Sequence, residues 1–454
     1  MTGDGERRAG AAHRRHGAGE LVIEDREELL FLLGEAAELE HAVCCGYLFA
    51  GFSLRSGPED GLAGEQLAAV TRWRRAVNLV ALQEMVHLAM ANNLLAAVGG
   101  APHLGRAPFP QRLGYAPEIT LALTPFDEAT LQRFLYVERP EGLDISDVAG
   151  KVRRTRSVSP PPAEPPVVAK PQEFDSLGGL YRGLERGLAQ LVDRYGETAV
   201  FVGSRRTQSS ASLFAFPAQV PELVPVTGLA SARQTIDVIV QEGEGARGDW
   251  STAHFGRFLA MLDELRTLRE RDPSFAPARP VAENPHVRRP ADRLRSPQWP
   301  PAGARHGLPV SLVDDPAAVR VSDLFDACYA VLLRMLERFF NHGEETTAEL
   351  RLVADAAVEV MWSVIRPLGE LLTRLPAGPS SPGRTAGPGF RLDGWTPVTA
   401  HKRAAWVVLG ERLDELAEVA GRLGDVSPPV LPAVAGTLHT LAARFAVAER
   451  TRRP

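Results

Sequence analysis

Cysteine is scarce in this sequence, and long apolar runs are absent. Three cysteines occur among 454 residues, and two of them, Cys44 and Cys45, are adjacent. Three cysteines cannot form the disulfide framework of a small secreted domain, and this usage is typical of a reducing compartment. No uninterrupted apolar run reaches the roughly 18 residues that a transmembrane helix needs. The sequence therefore predicts a cytoplasmic protein with no membrane span.

The N-terminal segment lacks an apolar stretch as well. Residues 1–20 are rich in arginine and glycine, so they lack the hydrophobic region of a secretory signal peptide, and we expect them to form a disordered tail. The formal net charge is −5 and the isoelectric point is about 6.2. Such a balance gives no reason to expect a nucleic-acid or anionic-membrane partner.

The length of the chain favours more than one structural unit. A composition of 44% hydrophobic and 24% charged residues is typical of a globular protein, and 454 residues exceed what one hydrophobic core usually organises. Proline-rich segments interrupt the pattern twice. We predict a tail at 1–20, a helical bundle at 21–272 with an insertion at 101–173, a linker at 273–312, and a C-terminal helical domain at 313–454.

Apolar residues recur at three- and four-residue spacing, which indicates an all-α fold. Within the predicted bundle the helices are 24–54, 64–98, 175–195, and a fourth that begins at 229, breaks at 243–248 and resumes at 251–271. The insertion contains one short strand-like run, EITLALT, and a proline-rich stretch that cannot form regular helix. The C-terminal helices are 322–340, 350–375, 402–423 and a last one that ends near 450.

The pair Glu84 and His87 is the first candidate for metal binding. Residues three apart share one helix face, and Glu-x-x-His is the ligand pair of di-iron helical bundles. Their helical neighbours, which include Val80 and Ala91, are apolar, and a buried glutamate is tolerated when it binds a metal. The alternative is a chance occurrence, since about one such motif is expected in a chain of this composition.

The first helix offers a second carboxylate on its apolar side. Glu40 shares a face with Leu33, Ala36 and Tyr47, whereas Glu38 shares a mixed face with Glu35. We therefore predict that Glu40 points inward as a ligand and that Glu38 faces solvent. Tyr47 is a candidate for lining a catalytic pocket, with an ordinary core position as the alternative.

The interrupted fourth helix carries the candidates Glu244 and His254. On one continuous helix they would be about 15 Å apart, too far to share a metal. Glycines at 243, 245 and 248 allow the chain to leave the helix, and Ser251 or Thr252 can cap its restart. The alternative is a glycine-rich turn between two ordinary helices. On the third helix Glu185 lies at the edge of the apolar stripe and is the only candidate there, with a solvent-facing position equally open.

Several long segments resemble the ferritin-like iminophenyl-pyruvate dimer synthase family, which includes ferritin-like regions of violacein-type and related bisindole biosynthetic enzymes. These segments are LEHAVCCGYLFAGFSL, QEMVHLAMANNLLAAVGGAPHL, LTPFDEATLQRFLYVERPEG, FAFPAQVPELVPVTGLASARQTIDVIVQEGEG followed by HFGRF, and LGELLTRLPAG followed by TAGPGF. The resemblance covers most of residues 20–395. It implies a ferritin-like four-helix bundle with iron-type ligands, carried here by Glu40, Glu84, His87, Glu244 and His254. The chain departs from the family where relatives commonly have a glutamate, since Gly179 and Arg182 flank Leu180 and Tyr181.

The motifs and the resemblance together favour an oxidoreductase that uses one or two non-haem irons and O₂. Carboxylate and imidazole ligands suit Fe(II), and manganese is an alternative. We expect a small amino-acid-derived or aromatic substrate in natural-product biosynthesis, and self-association or a complex with a pathway enzyme is open. A metal-poor scaffold without catalysis is the alternative function. Iron storage is disfavoured because the insertion and the second helical unit would obstruct cage packing.

Overall fold

The computed structural model is predominantly helical, which confirms the all-α expectation. It describes residues 21–112, 120–140, 143, 174, 176–213, 220–245, 249–287, 303–305, 307–392, 396–397, 401–427 and 429–450. The expected tail at 1–20, the proline-rich part of the insertion and Gly248 lie outside these residues.

Two long helices form the centre of the bundle. Helix α1 spans Arg26–Ser53 and helix α2 spans Gly64–Ala97. Asp25 caps α1 by accepting a hydrogen bond from the backbone N–H of Glu28, as an N-cap residue does. The guanidinium of Arg26 donates to the carbonyl of Val98 at 2.6 Å, which ties the start of α1 to the end of α2. The two helices therefore run antiparallel, and both match the predicted ranges closely.

The insertion contains a helix that the sequence pattern did not predict. Helix α3 spans Glu128–Val137, and Asp127 caps it by accepting from the backbone N–H of Thr130. Before it, strands β1 (Gln111–Arg112) and β2 (Thr120–Leu121) pair antiparallel. The strand-like run is thus partly confirmed. The helix was missed because its ten residues offer little periodicity beside a long proline-rich segment.

The remaining bundle helices pack against this central pair. Helix α4 spans Leu177–Tyr195, the short α5 spans Glu197–Val200, α6 spans Leu229–Gly243, and α7 spans His254–Arg271. Helix α4 packs on α1 and α6, while α7 packs mainly on α3. Helices α4 and α6 therefore pack as one pair, and α3 and α7 pack as another.

The predicted break in the fourth helix is present. Helix α6 ends at Gly243 and Gly245 adopts a left-handed backbone conformation with φ of +86°, which glycine tolerates without strain. The expected side-chain cap is not found, since Ala253 is the N-cap residue of α7 and makes no side-chain cap hydrogen bond. The Ser251 hydroxyl instead donates to Asp249 Oδ1 at 2.7 Å, so it stabilises the preceding turn.

The C-terminal half is again helical. Helix α8 spans Pro316–Phe340, and α9 (Thr347–Val360) continues through a π-helical turn at Met361–Ile365 into α10 (Arg366–Leu372). Helices α11 (Lys402–Arg422) and α12 (Leu431–Arg450) form a closely packed pair. The region predicted as a linker contains the short strands β3 (His286–Val287), β4 (Gly303–Arg305), β5 (Leu308–Val310) and β6 (Leu312–Val313). β3 pairs with β6 in parallel, and β4 pairs with β5 antiparallel.

One hydrophobic core includes residues from both halves of the chain. Gly369 of α10 packs so closely on Phe52 of α1 that an added Cβ would lie 2.5 Å from the ring. Beside this contact, the Thr373 hydroxyl donates to the carbonyl of Phe52 at 3.2 Å. The C-terminal helices therefore pack directly on the bundle, and their division into a separate domain stays a prediction.

Among the residues that the structure describes, one helix has the length and composition of a membrane span. The segment Leu431–Ala448 of α12 has 18 residues with a mean hydropathy of 1.2, and 33% of it is buried inside the protein. Trp406 of α11 and Phe445 of α12 pack together with ring centroids 5.1 Å apart. A core helix of a globular protein meets the same criteria, so this segment is weak evidence for a membrane. The cytoplasmic location stays a prediction.

Candidate metal centre

Five buried side chains meet in the interior of the bundle. They form two overlapping groups of candidate ligands, Glu40 with Glu84 and His87, and Glu84 with Glu138 and His254. Within each group the ligand atoms lie within 4.8 Å of one another. Because Glu84 belongs to both groups, its two carboxylate oxygens can serve two neighbouring metal positions. A carboxylate shared by two groups of ligand atoms is a feature of di-metal helical bundles, although this cluster has one Glu-x-x-His pair where those bundles have two.

The central helix pair positions three of these residues. Glu40 is on α1, and Glu84 and His87 are one turn apart on the facing side of α2. His87 Nδ1 lies 3.0 Å from Glu84 Oε2 and 3.9 Å from Glu40 Oε2. The inward facing of Glu40 agrees with its apolar helix face. Glu38 turns away from the cluster but does not face open solvent as predicted, because its side chain is 20% exposed and its carboxylate accepts from the backbone N–H of Ala107 at 2.8 Å.

The broken helix positions His254. It is the first residue of α7, and its Nδ1 lies 2.8 Å from Glu84 Oε1 and 3.7 Å from Glu138 Oε2. The break between α6 and α7 therefore brings the His254 imidazole close to the carboxylates of Glu84 and Glu138. This is what the glycine-rich break was expected to do for His254.

Glu138 was missed by the sequence analysis. Glu138 is the C-cap residue of α3 and is buried. Its carboxylate accepts a hydrogen bond from the hydroxyl of Tyr47 on α1. A single carboxylate at the end of a short helix matches no ligand motif. The signal that could have found it is the apolar stripe of Leu131, Phe134 and Leu135, since Glu138 continues that stripe one turn after Phe134.

Several ligand-type atoms in the cluster have no hydrogen-bond partner. They are Glu40 Oε2, Glu84 Oε1, Glu138 Oε2 and His254 Nδ1, all four buried; none makes a well-aligned hydrogen bond, although His254 Nδ1 and Glu84 Oε1 lie 2.8 Å apart as an ion pair. Burial of unpartnered polar atoms is costly, and metal ligation is one of the few ways to compensate it. These atoms belong to the two groups of candidate ligands, within which the ligand atoms lie within 4.8 Å of one another. The donor set of three carboxylates and two imidazoles therefore fits two cations of the Fe(II) or Mn(II) type.

Two tyrosines donate hydrogen bonds to the Oε1 oxygens of Glu40 and Glu138. The Tyr181 hydroxyl of α4 donates to Glu40 Oε1 at 2.6 Å, and the Tyr47 hydroxyl donates to Glu138 Oε1. Each tyrosine binds the Oε1 oxygen and leaves Oε2 directed at the cluster. Burial, followed by the charge of Glu138, raises the pKa of Tyr47 well above its ordinary value, so Tyr47 remains a hydrogen-bond donor.

The histidines are oriented by a second hydrogen-bond network. His87 Nε2 lies 3.0 Å from Glu242 Oε2, and Gln83 Nε2 donates to Glu242 Oε1 at 2.7 Å. On the other side, Gln83 Oε1 is 3.3 Å from His254 Nε2. Acceptors at both Nε2 atoms favour the tautomers in which Nδ1 of each ring is available to a metal. Gln83 and Glu242 thus link the two imidazoles outside the cluster.

The pKa values of the three carboxylates shift in opposite directions, because burial and repulsion raise two of them while the neighbouring imidazoles lower the third. Burial, then the negative charge of Glu84, raises the pKa of Glu40 well above its ordinary value. The pKa of Glu138 is raised by the same two causes in the same order. For Glu84 burial also acts upward, but His254 and His87 outweigh it and hold the pKa of Glu84 well below 4.5. The shared carboxylate is therefore the one that stays ionised.

The imidazoles respond to that ionised carboxylate. Burial acts to lower the pKa of His254, but Glu84 and then Glu138 raise it to about 9. Burial also opposes protonation of His87, whose pKa is nevertheless raised well above 6.5, chiefly by Glu84. Without a cation, protons compensate the negative charge of the cluster. Divalent cations would displace those protons, as is usual for buried metal sites.

The structure does not bring two of the predicted ligands into this cluster. Glu185 lies on α4 with its carboxylate 2.9 Å from Arg182 and 3.3 Å from Arg233, because the helix turns it toward these cations and away from the interior. Glu244 is the C-cap residue of α6, and its Oε1 accepts from the backbone N–H of Gly178 at 2.7 Å. Gly178 leaves the space that the Glu244 carboxylate occupies, since an added Cβ would lie 2.2 Å from it.

Two curated enzymes confirm the resemblance predicted from the sequence. Dichlorochromopyrrolate synthase of Lentzea aerocolonigenes is 28% identical over 446 residues, which cover 90% of this chain and 40% of that enzyme. The 2-imino-3-(indol-3-yl)propanoate dimerase of Chromobacterium violaceum is 27% identical over 410 residues, which cover 82% of this chain and 34% of that enzyme. The chain thus spans only about a third to two fifths of the length of these relatives.

The comparisons also include a solved structure and a family model. A ferritin-like protein from Caulobacter vibrioides is 20% identical and superposes with a TM-score of 0.42, covering 75% of this chain and 96% of that one. The ferritin-like family model matches residues 33–263, more than half of the chain. All five residues of the cluster lie within the matched region. This chain therefore belongs to the ferritin-like family.

Proposed function

We propose that this protein is a non-haem di-iron oxidoreductase that uses O₂ in natural-product biosynthesis. The observation that carries the proposal is the buried cluster of three carboxylates and two imidazoles, in which Glu40 Oε2 and Glu138 Oε2 have no hydrogen-bond partner. The printed names of the two relatives support a biosynthetic role. Both are enzymes that act on or form small aromatic molecules by name, a synthase of dichlorochromopyrrolate and a dimerase of an indolyl imino acid.

The cluster divides naturally into two metal positions. Glu40 and His87 would hold one ion, Glu138 and His254 would hold the other, and Glu84 would bridge them. This assignment follows from the two overlapping groups of ligand atoms. Iron bound here would supply oxidation chemistry with O₂, for which open coordination positions are needed. Manganese has compatible ligand preferences and is the alternative cation.

The surrounding residues prepare the cluster for this role. Tyr47 packs between Phe134 and Phe258, with ring centroids 4.6 and 5.1 Å away, and it donates to Glu138. We assign Tyr47 the task of orienting Glu138 and excluding water from that side of the cluster. Tyr181 does the same for Glu40. These contacts fix the carboxylates before a substrate arrives, which is how an enzyme avoids reorganising its ligands during a reaction.

We infer that the substrate is a small aromatic molecule derived from an amino acid. The inference rests on the names of the relatives, of which this chain covers the minor part. Electrons would pass from the substrate to O₂, so O₂ consumption should require both the metal and the substrate.

Metal stoichiometry of the full chain tests the proposal. Protein loaded anaerobically with Fe(II) and then desalted should retain close to two irons per chain. Glu84→Ala should lose both ions, because its carboxylate serves both groups, while the control Glu38→Ala should retain both. Aerobic O₂ uptake should follow the iron content when an aromatic imino or keto acid is added. Retention of neither iron nor manganese by the folded wild-type protein would contradict the proposal and favour a scaffold without catalysis.

A further inference from the structure

A large apolar cavity lies between the central helix pair and the C-terminal helices. Its volume is about 390 Å³, and its walls come from α1, α2, α8, α9, α10 and the π-helical turn. Most of the wall is aliphatic, and apolar solutes leave water for such surroundings. The leucines that line the cavity are Leu48, Leu82, Leu88, Leu332, Leu333 and Leu336.

The cavity adjoins the metal cluster. Its lining residue Cys44 lies one helical turn after Glu40 on α1, and its lining residue Leu88 lies one turn after Glu84 on α2. The Cys44 thiol donates to the carbonyl of Ala81 on α2 at 3.5 Å, so it lies where the two helices meet. The five candidate ligands themselves do not line the cavity. Side chains of α1 and α2 therefore form a thin partition between the cavity and the cluster.

The partition is small and uncharged at Cys44. Burial, followed by the charges of Cys45, Glu84 and Glu40, raises the pKa of the Cys44 thiol well above its ordinary value, so the thiol keeps its proton. A buried free cysteine of this kind behaves as a small apolar side chain. Side chains in a densely packed interior still change rotamer transiently. Such a change at Cys44 would let a diatomic molecule pass, whereas an organic molecule would require the helices to separate.

The polar groups at one end of the cavity already have partners. The Tyr329 hydroxyl hydrogen-bonds with His41 Nε2 and lies 3.2 Å from Cys45 Sγ. The buried guanidinium of Arg106 lies beside Tyr329 and Cys45 and gives this end a positive charge. The same guanidinium donates to two backbone carbonyl oxygens. An uncharged apolar gas needs no partner from these groups, so neither their hydrogen bonds nor the charge would exclude it.

Other lining residues reach the protein surface. Met361, Trp362 and Ile365 belong to the π-helical turn, a kind of irregularity that occurs preferentially at functional sites. Trp362 is 45% exposed, and the half-exposed Arg366 lies beside it with its guanidinium 5.8 Å from the indole ring. The cavity therefore has a border with solvent at Trp362 and a border with the metal cluster at Cys44.

We propose that this cavity holds O₂ and admits it to the metal centre past Cys44. The inference rests on the proposed function, because the cluster has a use for O₂ only if it holds an oxidisable metal. Entry at Trp362 brings O₂ into the leucine-lined space, where an apolar gas is concentrated relative to water. The thin partition at Cys44 then admits O₂ while it keeps larger molecules in the cavity away from the ligands.

Xenon is the first probe, because it is an apolar gas that binds in dry cavities of roughly 150 Å³ and above. Crystals of the metal-free full chain under xenon pressure should show xenon in the cavity. Leu333→Trp should displace it, because Leu333 is a buried lining residue and the larger side chain extends into the free space. The matched control is Leu352→Trp, a half-buried leucine of α9 that does not line the cavity, and it should bind xenon like the wild type.

The second measurement is the rate at which O₂ oxidises the bound iron. Protein loaded anaerobically with Fe(II) is mixed with buffers of increasing O₂ concentration, and the slope of the observed rate against that concentration is compared. Leu333→Trp should lower the slope by about tenfold. Its iron content should equal that of the wild type, because α8 carries no candidate ligand. Leu352→Trp should leave the slope unchanged. Val358→Trp, at a half-buried lining position, repeats the test if Leu333→Trp does not fold.

The outcomes separate this inference from the proposed function. Absence of xenon from the wild-type cavity would overturn the inference whatever metal the protein binds. An undiminished slope in a folded variant that retains its iron and no longer binds xenon would also overturn it, while the proposed metal chemistry would stand. A wild-type protein that binds xenon in the cavity but retains no iron would contradict the proposed function, and with it the role of the cavity in supplying O₂.

Discussion

At the scale of single residues, hydrogen bonds determine which oxygen or nitrogen of each candidate ligand is available to a metal ion. The hydroxyls of Tyr47 and Tyr181 each donate to one oxygen of a candidate glutamate ligand. The side chains of Glu242 and Gln83 each contact the Nε2 atom of one imidazole. The atoms left over are those that face the cluster. Ligand orientation is thus built into the protein before any cation binds.

The first residue-scale prediction concerns Glu138, which completes only one of the two metal positions. Glu138→Ala should reduce the retained iron from about two to about one per chain, because Glu40, Glu84 and His87 remain in place. Elemental analysis of the desalted protein measures this. The control Glu185→Gln should keep both ions, because the ion pairs of Glu185 with arginines lie away from the cluster. Equal metal loss in the two variants would show that the assignment of Glu138 is wrong.

The second residue-scale prediction concerns Glu242, which contacts His87 without belonging to the ligand groups. Glu242→Leu should weaken metal binding by about 10- to 100-fold, the usual effect of removing the hydrogen-bond partner of a ligating histidine. Glu242→Gln keeps an acceptor oxygen and should restore most of the affinity. Chelator competition measures both. A Gln variant as weak as the Leu variant would instead indicate that the Glu242 charge itself binds metal.

At the scale of the element, the break between α6 and α7 determines whether His254 reaches the cluster. Gly245→Ala places a side chain at φ of +86°, which costs roughly 1–2 kcal/mol, and its Cβ would lie 2.8 Å from the carbonyl oxygen of Asp249. We expect a lower melting temperature and loss of the metal held by His254.

A glycine within a regular helix provides the contrast for this variant. Gly421 is in α11 and an added Cβ would meet nothing within 4 Å. Gly421→Ala should therefore raise stability by about 0.5–1 kcal/mol, since alanine favours helix over glycine. A Gly245→Ala protein with normal melting temperature and full metal content would contradict the role assigned to the break.

The helices also show what sequence patterns can and cannot predict. Long helices such as α1 and α2 were predicted closely because 28 and 34 residues of apolar periodicity outweigh local ambiguity. The break before His254 was predicted because glycines cluster there. The contact of Glu242 with His87 at the end of α6 was not predicted, because the backbone path decides whether Glu242 or Glu244 turns toward the cluster. Glu185 was chosen because the third helix offered no better carboxylate. Glu138 was missed because no ligand motif marks it, and the packing of α3 against α7 brings it to the cluster.

At the scale of the whole molecule, the continuous core predicts that the two halves of the chain unfold together. Residues from α1 and from α10 belong to the same apolar core, and Gly369 packs directly on Phe52. Gly369→Ala would place a Cβ 2.5 Å from the Phe52 ring, and overpacking of this kind typically costs about 1–3 kcal/mol. Gly343, whose added Cβ would meet nothing within 4 Å, supplies the control Gly343→Ala, which should be close to neutral.

The measurement is urea unfolding followed by two probes, release of the bound metal for the bundle and near-ultraviolet circular dichroism for the packing of aromatic side chains throughout the chain. If the core is one cooperative unit, both probes should report a single coincident transition in the wild type. Gly369→Ala should move both transitions to lower urea by the same amount, because the lost contact joins the two halves. Two separate wild-type transitions, with only one of them sensitive to Gly369→Ala, would instead establish the C-terminal helices as an independent domain that merely rests on the metal-binding bundle.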